Sequence, residues 1–154
     1  QFIDEFAKIY RYVLDVRERN LVELKEELRF LESFMFLQQI RFGDHLKLEL
    51  EVNAERLHDY LPPLALQELI ENAIKHNTIS EDSPLTIHLF IKNDELVVTN
   101  NLRPKEETGG NTGIGLQNLR MRYNPYNLVP RFEKTDAAYH AYLPLFKKST
   151  KPSD

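Results

Sequence analysis

Apolar residues recur with two different periods along this chain, and the change falls near residue 44. From Phe2 to Arg19 the positions Phe2, Phe6, Ile9, Tyr10, Val13 and Leu14 follow helical spacing. The polar run "RERN" interrupts them. The pattern resumes in "LVELKEELRFLESFMFLQQIRF" through Leu24, Leu28, Leu31, Met35 and Ile40, predicting a long second helix that ends near Phe42 with Gly43 as its cap. Two helices with this apolar content need partners, so a helical hairpin or helical layer is expected. The stripe from Leu24 to Ile40 suits dimerisation and packing on the chain's own sheet equally well.

At Leu46 the period drops to two. "LKLELEV" alternates strictly and predicts a strand. "LALQELIENAIKHN", Leu64 to Asn77, returns to helical spacing behind Pro62–Pro63, which suit a helix entry. Leu66, Leu69, Ile70, Ala73 and Ile74 form its apolar face. "LTIHLFIK" and "ELVVTN" predict two strands joined by a turn at Asn93–Asp94. Residues 102–112, "LRPKEETGGNT", predict a flexible loop, and "GIGLQNLRMRY" opens a short helix near Gly115. "RFEKT" and "AYHAYLPLF" predict two closing strands, and the tail from 148 to 154 is expected to be disordered. This order predicts an α+β fold, a two-layer sandwich with helices on one face of a mixed sheet. The expected division is a helical segment over 1–43, a sheet domain over 44–147 and the tail.

Composition narrows the partners. A chain of 154 residues fits one compact domain with a helical extension. Its net charge of −4 lacks the basic footprint of nucleic-acid binding. Without cysteine, disulfides and thiolate metal sites are excluded. No apolar run reaches the roughly 18 residues of a membrane span, so no direct membrane contact is expected of this stretch. The chain opens inside a helical pattern, as a piece of a longer protein would.

Three features carry candidate chemistry. On the Leu64–Asn77 helix, Glu68, Asn72, Lys75 and His76 fall together on the polar side. Asn costs a helix interior roughly 0.5 kcal/mol relative to Ala, so Asn72 invites a reason. Amide and carboxylate oxygens suit Mg²⁺, and Lys and His suit phosphate oxygens. An ordinary solvated face with a Glu71–Lys75 ion pair explains the same residues. The second feature is "GGNTGIGLQN", where four of the five glycines directly precede a helix. Helix N-termini and permissive backbone suit phosphate, and a plain turn suits them too. In the third, "LVVTNN", Asn100 shares a strand face with Leu96 and Val98, so its amide points toward the core. A strand-end Asn opening a turn reads the same way.

In this order the three features resemble the ATP-binding domain of the GHKL, or Bergerat-fold, superfamily. "LPPLALQELIENAIKHN" is similar to the N-box of LytS-type sensor histidine kinases, and "TGIGLQNLRMRY" to their second glycine box. "LRFLESFMFLQQIRFGDHL" resembles the segment that joins their dimerisation helices to the ATP domain. The resemblance implies ATP and Mg²⁺ as cofactors, with Asn72 as the Mg²⁺ ligand bridging to the phosphates. It places Lys75 and His76 against phosphates or ribose, and Thr112, Gly113, Ile114, Gly115 and Leu116 around the phosphates. Residues 102–112 would be the lid, and Glu68 a general base. The implied partners are a response regulator of LytTR type and a second copy of the chain. The implied location is the cytoplasmic side of a membrane-anchored bacterial protein.

Two departures stand out. The first glycine box of the family reads Asp-x-Gly, and its Asp accepts a bond from the adenine amino group; here the match is Asn100-Asn101-Leu102. An amide acceptor loses charge assistance and can flip to donate, so weak binding with relaxed base choice is expected. The phosphoacceptor histidine motif is absent, since His45, His58, His76, His88 and His140 all lie outside the N-terminal helices. This stretch alone is therefore not expected to autophosphorylate. Two other readings stay open: a degenerate domain serving as a dimerising scaffold, and a relative with another reaction, such as an ATP-driven clamp or protein-serine kinase.

Overall fold

The computed structural model describes residues 1–105 and 114–152. The chain opens with helix α1 (Phe2–Asp15) and helix α2 (Leu24–Phe42), separated by a two-residue strand β1 (Val22–Glu23). Strand β2 (Leu46–Glu51) and the short β3 (Tyr60–Leu61) lead to helix α3 (Ala65–His76). Strands β4 (Leu85–Lys92) and β5 (Glu95–Asn101), helix α4 (Ile114–Tyr123), and strands β6 (Arg131–Lys134) and β7 (Ala138–Pro144) complete the order.

The sheet has five strands in the order β2-β4-β5-β7-β6. Only β2 and β4 pair in parallel, so the sheet is mixed as expected. One face is buried under helices: Ile87, Leu89, Leu96, Val98, Ala141 and Leu143 share a core with Leu66, Leu69, Ile70 and Ala73 of α3 and Leu119 of α4. That layering is the two-layer α/β arrangement read from the alternating strands.

The two N-terminal helices form an antiparallel hairpin. Tyr12 stacks on Phe30 with ring centroids 4.8 Å apart, and Glu5 bonds Ser33 nearer the other end. Most of the α2 stripe is spent on the chain's own core, where Leu24, Leu31 and Met35 are buried beside Leu46 and Leu61, while Ile40 at its end is exposed. A longer exposed apolar stripe lies on α1, through Phe2, Ile3, Phe6, Tyr10 and Leu14. Gly43 ends α2 at φ +56°, a conformation that favours glycine.

Just before α2, residues 22–23 pair with β3, Val22 opposite Leu61 and Glu23 opposite Tyr60. A capping box fixes the start of α2, with Glu26 accepting the Glu23 N–H at 2.9 Å and Arg19 holding both Glu26 oxygens at 2.8 and 2.9 Å. In the tail, residues 148–150 form a 3₁₀ turn and the Lys151 ammonium lies 4.7 Å from the Tyr60 ring centre.

Candidate functional site

Helix α3 is positioned by its buried face, where Ala65, Leu66 and Ile70 are fully enclosed. Its opposite side then carries Glu68, Asn72 and His76 half-buried and Lys75 exposed. The Asn72 carboxamide has no hydrogen-bond partner among the described residues. The ion pair proposed by the ordinary-surface reading does not form: Glu71 instead accepts from Gln67 at 3.0 Å.

Glu68 meets the second glycine segment. A side chain at Gly115, in the first turn of α4, would place its first carbon 2.4 Å from Glu68 Oε2. The carboxyl of α3 thus lies against the start of α4, and the two elements that the sequence singled out converge. Leu116 is half-buried and packs on the core beneath them. Thr112 and Gly113 lie outside the described residues, as do the other lid positions 106–111; of Ile114 only the backbone, opening α4, is described. Since Glu68 Oε2 is the mobile end of a long side chain, Gly115→Ala is expected to displace it without unfolding the domain. Urea denaturation should show a change within about 1 kcal/mol, because Ala is the better helix former by a similar amount.

Asn100 is buried on the helix-covered face of β5, between Ile87 and Tyr139 in register. Its amide donates to the Asn101 carbonyl at 2.9 Å. This leaves Oδ1 without a donor among the described residues, able to accept one. Asn101 faces the other way and closes the end of the β4–β5 ladder, accepting from Thr86 N at 2.8 Å and donating to Pro84 O at 2.9 Å. Leu102, at the position of the missing glycine, is buried, and its N–H bonds the Ala137 carbonyl. Tyr139 has its hydroxyl pKa raised by burial, with Arg120 acting against the shift.

Sequence reading missed Asn77. Its side chain donates to Ala73 O and accepts from Arg103 N, both at 2.8 Å, while Lys105 N bonds His76 O and Thr78 N bonds Arg103 O. The end of α3 is thereby stitched to the segment that leads into residues 106–113. An Asn one position past a helix is the available signal, though it reads as an ordinary cap.

Among the described residues no group of three or more His, Asp or Glu is arranged to hold a metal ion. A single open amide on α3 fits Mg²⁺ that keeps phosphate and water as its other ligands.

Residues 1–46 match a family model described as "Histidine kinase". The sensor protein kinase HptS of Staphylococcus aureus strain USA300 is 34% identical over 123 residues, 79% of this chain and 21% of that protein. This chain is homologous to a region of sensor histidine kinases. It spans about a fifth of the length of the curated relatives it matches. Among solved structures, the cytoplasmic segment of histidine kinase QseC aligns with a TM-score of 0.56 at 14% identity, over 80% of this chain and 75% of that one. The catalytic domain of histidine kinase ThkA aligns at 0.55 and 15% identity, over 80% of this chain and 95% of that one. Those two likenesses show the fold, a mixed sheet covered on one face by helices. No helix among the described residues is long and apolar enough to cross a membrane.

Proposed function

We propose that this chain is the ATP-binding part of a two-component sensor histidine kinase of the LytS type. The observation that carries the reading is the Asn72 amide on α3, together with the Asn100 Oδ1 on the same covered side of the sheet, neither of which has a partner among the described residues. Asn72 would hold Mg²⁺ against the ATP phosphates, and the ion would supply charge neutralisation there. Asn100 Oδ1 would accept from the adenine amino group. Lys75 and His76 would face phosphates or ribose, and the backbone from Thr112 through Leu116 would follow the phosphates. In the intact protein a histidine nitrogen upstream of this stretch would form a bond to the γ-phosphorus as the bridging P–O bond breaks and ADP leaves. Glu68, one turn before Asn72, would take the proton of that imidazole. The phosphoryl group would pass on to an aspartate of a response regulator of LytTR type.

The exposed α1 stripe supports a homodimer in the intact protein, with 1–43 as the helical segment and 44–147 as the ATP domain. A membrane anchor outside this stretch, with this part on the cytoplasmic side, completes the proposal.

A non-catalytic scaffold is the second reading. The burial of Leu102 favours it, because the first box's glycine position has become core. Base choice separates the two. Asn100→Asp is expected to tighten ATP binding about fivefold and to widen the preference over GTP, since a carboxylate acceptor is roughly twice as strong and cannot donate. Competition between ATP and GTP for a fluorescent nucleotide reads both effects. A scaffold would bind neither before or after the substitution.

A further inference from the structure

Helix α3 has no cap of its own. Its N-cap is Leu64, which sits in the left-handed region at φ +63° and offers no side-chain acceptor. That conformation costs a non-glycine residue roughly 1–2 kcal/mol, so something must hold it. The acceptor comes from another helix. Glu27 of α2 is completely buried, and its Oε2 accepts the Leu64 N–H at 3.1 Å while Oε1 accepts the Leu66 N–H at 3.4 Å. The Ala65 N–H also bonds this carboxyl. The remaining donor comes from a third helix: Tyr12 of α1 donates its hydroxyl to Glu27 Oε2 at 2.5 Å. One carboxyl therefore joins α1, α2 and the first turn of the helix that carries Glu68 and Asn72.

We propose that Glu27 and Tyr12 are positioning residues through which the pose of the N-terminal hairpin sets nucleotide affinity. The inference rests on the ATP-binding reading of the α3 face. The geometry supplies a direction. Glu27 holds α3 at its N-terminus, and Asn77 stitches its C-terminus to the segment before residue 106. A helix fixed at both ends transmits a shift at one end as a displacement of Asn72 relative to Asn100. Moving α1 breaks the Tyr12 bond and leaves Glu27 with a vacant acceptor, which loosens its hold on Leu64. Burial forbids water from replacing Tyr12 cheaply. The half-buried Tyr12 ring remains packed on Phe30 whether or not its hydroxyl is present, so the bond can be removed without removing the packing.

Calorimetric titration of Mg²⁺-ATP into the full chain tests the idea, using the wild type, Tyr12→Phe, Glu27→Gln, the double variant and Asn72→Ala. Tyr12→Phe is expected to weaken binding about fivefold or more while remaining folded, which is the scale of ordinary coupling between sites. The double variant should bind no more weakly than Glu27→Gln, because the two residues act through one bond. Hydrogen exchange supplies a second readout on the unmodified chain: coupling is reciprocal, so Mg²⁺-ATP should slow exchange in α1 around Tyr12. Unchanged affinity in a folded Tyr12→Phe chain, or α1 exchange indifferent to nucleotide, overturns the coupling while Asn72→Ala still upholds the site. A wild-type chain that binds no nucleotide sinks the reading of the site and the coupling with it.

Discussion

Replacing Glu27 with Ala is expected to lower the unfolding free energy by roughly 3–4 kcal/mol, read from urea denaturation. The estimate follows from what is left behind: three backbone N–H groups at the start of α3 and the Tyr12 hydroxyl all lose their acceptor, and each buried donor left unpaired costs about 1–3 kcal/mol. Partial water entry into the vacated space keeps the total below the sum. Glu27→Gln retains one acceptor oxygen and should cost less than half as much. The pH dependence separates them further. Burial raises the Glu27 carboxyl above its ordinary value, opposed by the Tyr12 hydroxyl and the α3 amides. The folded chain therefore keeps this proton where the unfolded chain releases it. Its contribution is full below the ordinary carboxyl value and is lost as pH rises through the raised one. The stability of the wild type relative to Glu27→Gln should decline over that window.

Asn72→Ala carries the second large effect, and it falls on binding. Its amide has no partner among the described residues, so truncation removes nothing from the fold and should leave stability within about 0.5 kcal/mol. Alanine is the better helix former, which favours the variant slightly. ATP affinity in the presence of Mg²⁺ should drop roughly 10- to 100-fold, the loss expected for one contact to a charged group. An affinity loss without a stability loss is the signature of a ligand-facing residue. A structural Asn, such as Asn77 with its two buried bonds, would show the opposite.

Residues with a periodic environment were legible in the sequence. Strands β4 and β7 alternate in burial, while β5 buries Leu96, Val97 and Val98 in a row; Asn100 fell on the covered face by its two-residue spacing from Leu96 and Val98. Helix α3 was legible from its apolar spacing, and its polar side followed. What escaped is what no period encodes. Strands β1 and β3 have two residues each, too short to show a pattern, and they exist because Val22 and Glu23 pair with residues about forty positions away. Glu27 sits in "KEEL" beside Glu26 and reads as solvated surface, yet α1 and the start of α3 close over it. Its burial is a tertiary event, visible only when three helices are assembled. The α2 stripe was ambiguous for a related reason, since apolar spacing says that a face is covered and not by what.

The most direct test of the account is calorimetric titration of ATP into the wild-type chain with Mg²⁺ and again with the metal chelated. Binding that requires Mg²⁺, weak and with limited preference over GTP, is the predicted result. Tight binding without metal, or no heat at millimolar ATP in either condition, would contradict the assignment of the α3 face and Asn100 to a nucleotide site.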